Sequence, residues 1–364
     1  MSDGTKNYRR RPKPNPFAKL WFALALAAMT LALILRDRRG SKAPGSLVQM
    51  SPEIVAGSWR VGDFIVALKE TPDGLTLNVE HGARPDLPLW SSVPGKSFVS
   101  AARGRETVSD TRAHYFITDK TFEEYSDQTI DHVEQGDQGI VISGRLKGKN
   151  TSREVGYEVV FSQASASRLG FEIRVGEPCN RVYLTYSSSA GERFFGFGTQ
   201  YTYFDLKGRR VPIFIGEQGV GRGAQPITLM ANLKSGAGGS WHSSYACVPH
   251  YITSELKSLF LENHEYSVFD LRAKDRVRIE LFSSRMRGQI VSGGSPVELI
   301  EGYTEFAGRM RPLPEWVLDG AIVGTQGGTD KLLELKHRLD ILDTPIAAFW
   351  LQDWVGHRLT SFGS

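Results

Sequence analysis

Between Phe64 and Phe282 apolar residues fall in short runs and alternations with a period near two, the pattern of half-buried β-strands. Phe64–Leu68, Leu75–Val79, Ala113–Thr118, Gly139–Ser143, Tyr157–Phe161 and Leu169–Val175 read this way. So do Lys257–Glu262, Tyr266–Leu271 and Arg276–Phe282. Turn residues such as Pro72-Asp73-Gly74 and Gly136-Asp137 punctuate them, which predicts a large antiparallel β-sandwich domain over 53–295. No repeat of 34 or 40 residues is present, so a solenoid or propeller is excluded.

The period then changes. Ser295 to Gly308 carries helical spacing, and Arg309-Met-Arg-Pro-Leu-Pro-Glu-Trp316 follows with two prolines, giving a helix and linker over 296–314. Asp319 to Thr325 is an apolar strand ending in Gln326-Gly-Gly328. A capping Thr329 precedes a helix to Asp343, apolar at Leu332, Leu333, Leu335, Leu339 and Leu342, which Pro345 stops. The strand Ile346–Leu351 runs into Gln352-Asp-Trp354. A strand, a helix and a parallel strand are the opening β-α-β portion of a (β/α)8 TIM barrel, which would occupy 315–364 incompletely. Polar residues at carboxyl strand ends are where such barrels hold their chemistry.

At the other end, residues 20 to 35 are uncharged and apolar between Lys19 and Arg36, and with a snorkelling Lys19 the run extends to Phe17. That approaches the roughly 20 residues needed to cross a bilayer. Two readings compete, a cleaved signal peptide and an uncleaved anchor. Arg36-Asp-Arg-Arg39 follows where small residues would mark cleavage, which favours the anchor. The expected organisation is a basic cytosolic tail at 1–16, a single transmembrane signal anchor at 17–35 and a stem at 36–52. The body would lie in the lumen of the secretory pathway or outside the cell, as in a single-pass type II membrane protein.

Composition alters this picture little. With 364 residues, 40% hydrophobic and 23% charged, the chain has room for two domains. Its net charge is +4, but the first 42 residues hold ten Lys and Arg against two Asp, so the rest is slightly acidic and nucleic acid is excluded as a partner. Cys179 and Cys247 either form one bridge or remain buried thiols. His242, His250 and His264 lack metal-ligand spacing, and Gly219-Val-Gly-Arg-Gly223 lacks the Lys-Ser or Lys-Thr of a phosphate loop, so no metal or other cofactor is expected.

The order of β domain, helix, Pro-Leu-Pro-Glu-Trp and barrel strand resembles glycoside hydrolase family 31, the α-glucosidase clan. Five segments narrow the resemblance to its sulfoquinovosidase-like branch: Glu192–Gln200, Leu206–Pro212, Glu217–Gly223, Leu261–Asp270 and Trp350–Gly356. The resemblance covers residues 190 to 364 well and 53 to 189 in general pattern. It implies a retaining α-glycoside hydrolase of sulfoquinovosides, the 6-sulfonated glucosides of sulfolipid, with a small carbohydrate as its substrate. Gln326 and Gln352 match two sugar-recognising glutamines on the first two barrel strands. Ordinary α-glucosidases carry a carboxylate at the position of Gln352. A neutral amide donates as well as accepts and does not repel a sulfonate.

Trp354 either walls the sugar or closes the barrel top. The glycines around Glu217 and Gln218 let backbone approach a ligand, and in the family a loop of the sandwich domain borders the barrel mouth, so these two residues join the substrate-binding candidates; the alternative is a plain hairpin connection. The resemblance places both catalytic aspartates on later barrel strands, beyond Ser364. No catalytic residue is therefore assigned within the chain, and 364 residues alone are expected to be inactive. A membrane-anchored, carbohydrate- or protein-binding pseudoenzyme and a neutral α-glucosidase are the alternatives.

Overall fold

The computed structural model describes residues 46–351 apart from 86, 112, 113, 138 and 224. The expected anchor, Gln352 and Trp354 lie outside these residues. Among the described residues no helix is long and apolar enough to cross a membrane. Two compact units divide between Phe306 and Ala307.

The first unit is β-rich. Its main antiparallel sheet has fourteen strands, and a smaller sheet of four strands is formed by Gly57–Val61, Phe64–Thr71, Gly74–His81 and Trp90–Ser91. Phe64, Val66, Leu77 and Val79 from the small sheet and Ile142, Val159, Phe161 and Ile173 from the large one are buried in a common core. Alternation explains the arrangement: in Arg276–Leu281 every second side chain, Val277, Ile279 and Leu281, is fully buried. The strand expected at Ala113–Thr118 belongs to a much longer one, His114–Gly136, paired antiparallel with Val99–Thr111 over its first half. Its polar run Glu123-Glu-Tyr-Ser-Asp-Gln hides the alternation, because Arg103 and Lys149 pair with Glu123 and Glu124 at the sheet surface. Both cysteines are free thiols, and burial pushes Cys179 up to about 12.

Helix α1, Pro226–Ser235, was not anticipated from the sequence. Its signals were Pro226 in the first turn and Gly236 in the left-handed conformation at its end. Helix α2, Pro296–Ala307, agrees with the expected helix. Ser295 Oγ accepts from the Glu298 N–H at 3.3 Å, while the Glu298 carboxylate accepts from the Gly294 N–H at 2.8 Å. Leu299 of this helix is buried with Phe260 and Val291, so the helix is part of the β unit and the boundary falls at its last residue.

The second unit holds strand Ala321–Thr325, helix α3 (Gly328–Ile341) and strand Ile346–Leu351. The two strands pair in parallel, with Val323 opposite Phe349. This is the expected β-α-β order with one correction. Thr329 lies inside the first turn of α3, and the capping position is Gly327 at φ 107°.

Candidate functional site

The loop between strand Arg210–Ile213 and α1 carries Glu217 and Gln218. It is held from within by Arg222. The guanidinium donates to Thr202 Oγ1 at 2.8 Å, to Gln218 Oε1 at 2.9 Å and to the carbonyls of Ser243 at 2.7 Å and Trp241 at 3.3 Å. The backbone supplies a second clasp, with the Val220 N–H donating to Ala237 O and the Gly239 N–H donating to Val220 O. Gly221 and Gly223 take φ values of 72° and 94°, a left-handed region in which Cβ is strained. Gly239 has a different reason to be glycine. A Cβ there would stand 2.1 Å from Gln218 O and 2.5 Å from Gly221 O.

Glu217 is exposed and accepts from the Tyr245 hydroxyl and, at 3.1 Å, from the Gln218 N–H. The hydrogen bond to Glu217 raises the Tyr245 pKa, so the phenol stays a donor. Beneath the loop His242 is neutral. Burial and the nearby guanidiniums of Arg210 and Arg222 lower its pKa to about 4. The structure thus brings Glu217 and Gln218 together with Arg222, Tyr245 and Thr202. Arg222 and Tyr245 were not singled out from the sequence; an arginine between two left-handed glycines was the available signal for the first.

In the second unit Gln326 directly follows strand Ala321–Thr325, at its carboxyl end, half-buried ahead of Gly327 and Gly328. Both glycines have positive φ, 107° and 81°, so the chain turns sharply after the amide. The remaining candidates, Gln352 and Trp354, lie outside the described residues.

Retaining glycosidases need two carboxyl groups about 5 Å apart, one of them protonated. Glu192 and Glu255 share Lys257, at 3.7 Å and 2.8 Å, but neither suits that role. Burial works to raise the Glu255 pKa, yet hydrogen bonds from Lys257 and Ser189 outweigh it and keep the carboxyl below its usual range. The Glu192 carboxylate is fixed by Ser188 Oγ at 2.7 Å. Among the described residues no cluster of three or more His, Cys, Asp or Glu side chains could hold a metal ion.

Comparison with known proteins gives these features a context. The chain is 30% identical over 301 residues to the sulfoquinovosidase of Agrobacterium fabrum, a match covering 81% of this chain and 42% of that protein. It is 31% identical over 185 residues to the sulfoquinovosidase of Escherichia coli, covering 50% and 27% respectively. Among solved structures, a GH31 family sulfoquinovosidase from E. rectale in complex with the aza-sugar inhibitor IFGSQ superposes with a TM-score of 0.69, at 24% identity, over 81% of this chain and 42% of that one. This chain is a sulfoquinovosidase-like protein of glycoside hydrolase family 31.

No protein-family model matches the chain. The family 31 likeness therefore stands on the two curated relatives for sequence and on the solved structure for fold. The chain spans less than half the length of each relative. The β-rich unit followed by a parallel β-α-β segment is consistent with a family 31 order of domains.

Proposed function

We propose that this chain forms the β domain and the first barrel strands of a retaining α-glycosidase that cleaves α-sulfoquinovosides. The observation that carries the reading is a neutral amide, Gln326, at the carboxyl end of the first barrel strand, in a chain 30% identical to a sulfoquinovosidase. The chemistry follows from charge. A carboxylate at such a position and a sulfonate about 8 Å away repel by about 2 kcal/mol at an effective dielectric of about 20. An amide removes that penalty and still hydrogen-bonds sugar hydroxyls in both directions. Gln352 would do the same from the second strand, with Trp354 as an aromatic wall; Glu217 and Gln218 are proposed as further sugar-binding residues. The nucleophile and the acid/base would come from further barrel strands.

The test is hydrolysis of an α-sulfoquinovoside against the matching α-glucoside by the protein bearing a complete barrel. Gln326→Glu should cut the sulfoquinovoside rate about 30-fold, the equivalent of about 2 kcal/mol, and leave the glucoside rate nearly unchanged. Equal loss on both substrates would remove the specificity argument; faster wild-type cleavage of the glucoside would remove the function. We also propose that residues 17–35 anchor the protein in a membrane. Release of the intact protein by alkaline carbonate would refute the anchor.

A further inference from the structure

On the β unit, a cavity of about 110 Å³ opens between the start of strand Cys247–Thr253's outgoing turn, the end of strand Arg181–Ser187 and strand Trp90–Ser91. Its lining includes Trp90 and Tyr186, whose ring centroids lie 5.8 Å apart. Glu192, Glu255 and Lys257 also line it.

Two hydrogen-bond donors at this cavity are surplus. The Trp90 indole N–H is buried and has no partner. A second cavity along Trp90, of about 10 Å³, is lined by apolar side chains and holds barely a water's volume. Trp90 also lines the polar cavity, and an unmet buried donor costs about 1–3 kcal/mol. The other surplus donor comes from Tyr186 and Tyr251, whose hydroxyls meet at 2.5 Å and are both buried. One proton lies between the two oxygens; the second has no acceptor among the described residues. Burial raises both phenol pKa values, so neither proton is lost at neutral pH.

Acceptors stand opposite. Glu192 is only 2% exposed, and its Oε1 has just the 3.7 Å approach of Lys257. Across the cavity the carboxylates of Glu192 and Glu255 are balanced by Lys257 and by Lys207, which donates to Ser188 Oγ at 2.6 Å. The local charge is thus close to zero. An anion would meet two carboxylates and a cation two ammonium groups.

We infer that this cavity binds a neutral polyhydroxyl group, either a small free polyol or the hydroxyl edge of a sugar. Each hydroxyl accepts from Trp90, the tyrosine pair or Lys257 and donates to Glu192 or Glu255, while carbon faces rest on the aromatic rings. The inference does not depend on the glycosidase reading.

The test follows the Trp90 indole N–H by 15N NMR in the full chain, with the resonance assigned through Trp90→Phe, during titration with glycerol, methyl α-D-glucoside and sodium sulfate. Saturable movement with either hydroxyl compound, and none with sulfate, is the expected result. Glycerol alone would mark a free-polyol site, and the glucoside a sugar site. Tyr251→Phe should weaken binding about tenfold, as one lost hydrogen bond implies. If that variant does not fold, Lys257→Met serves the same purpose at the cavity rim. Linear movement identical for all three solutes, or unchanged binding in the folded variant, would overturn the inference.

Discussion

Arg222 shows how much of the site rests on one side chain. Removing its guanidinium in Arg222→Met strips donors from Gln218 Oε1 and from the carbonyls of Ser243 and Trp241, leaving partly buried acceptors unmet. Unfolding in urea should show a loss of about 2–3 kcal/mol; a change below about 0.5 kcal/mol would mean that the loop holds without it. The histidines give a second residue-scale expectation. Burial holds His250 at about 4, with its ring stacked 4.1 Å from Tyr303 and its Nε2 3.0 Å from Ser258 Oγ. The folded value lies below the unfolded value of about 6.5, so between them the unfolded chain binds more protons. Stability from this group is therefore full above about pH 6.5 and falls as pH drops towards 4, by up to about 3 kcal/mol. His242 contributes over the same window, so His250→Gln should lessen the slope of that part of the pH profile in chemical denaturation without abolishing it, and an unchanged slope would contradict the buried neutral ring. Among these residues, Glu217 and Gln218 stood out in the sequence because glycines flank them, and Gln326 because it matches a glutamine of the resembled family. Arg222 and Tyr245 did not, since their roles depend on partners 20 or more positions away that only the tertiary fold supplies, Thr202 and Ser243 for the first and Glu217 for the second.

The elements sort by whether their signal is local. Strands such as Arg276–Leu281 alternate cleanly and were legible, and so was α2 with its Ser295/Glu298 cap. His114–Gly136 was legible only in part, because ion pairs on an exposed face replace the apolar period by which strands are recognised. Helix α1 was hidden because only Thr228 and Leu229 of its ten residues are buried, leaving no apolar stripe to read. That helix and the loop before it are packed through glycine instead. Gly239→Ala would force a methyl to within 2.1 Å of Gln218 O, a backbone atom that cannot rotate away. The loop must move, at a cost of about 1–3 kcal/mol. Trypsin offers the readout: cleavage after Arg222 should be slow in the parent chain and much faster in Gly239→Ala, while equal rates would show that the clasp at Val220 and Gly239 is not what shields the loop.

At the scale of the whole molecule the two units differ in what sustains them. The β unit has a continuous core in which Phe64, Val66, Val99, Ile130, Ile142 and Ile279 are fully buried. In the second unit no described residue is buried, and Ile322, Leu333 and Trp350 are 49%, 56% and 66% exposed. Parallel strands are normally covered on both faces, because their stability comes from apolar burial and not from the pair of strands itself. The hydrogen bonds between Ala321–Thr325 and Ile346–Leu351 are therefore open to water, and the local opening free energy should be a few kcal/mol below that of the β core. Hydrogen exchange on the 364-residue chain measures this directly: amides of Ile322–Gly324 and Ala348–Trp350 should exchange at least about a hundredfold faster than those of Ile142 and Val159, the equivalent of about 2.7 kcal/mol. Function is coupled to the same quantity. A glutamine on a strand that opens this readily cannot hold a sugar in a fixed pose, since productive geometry requires a side chain locked by its surroundings. The 364 residues alone should accordingly release no sugar from an α-sulfoquinovoside, and fusion to further barrel strands should slow exchange at Ile322–Gly324 as activity appears. Core-like protection in the isolated chain, or turnover by it, would show instead that two strands and a helix already suffice to position Gln326.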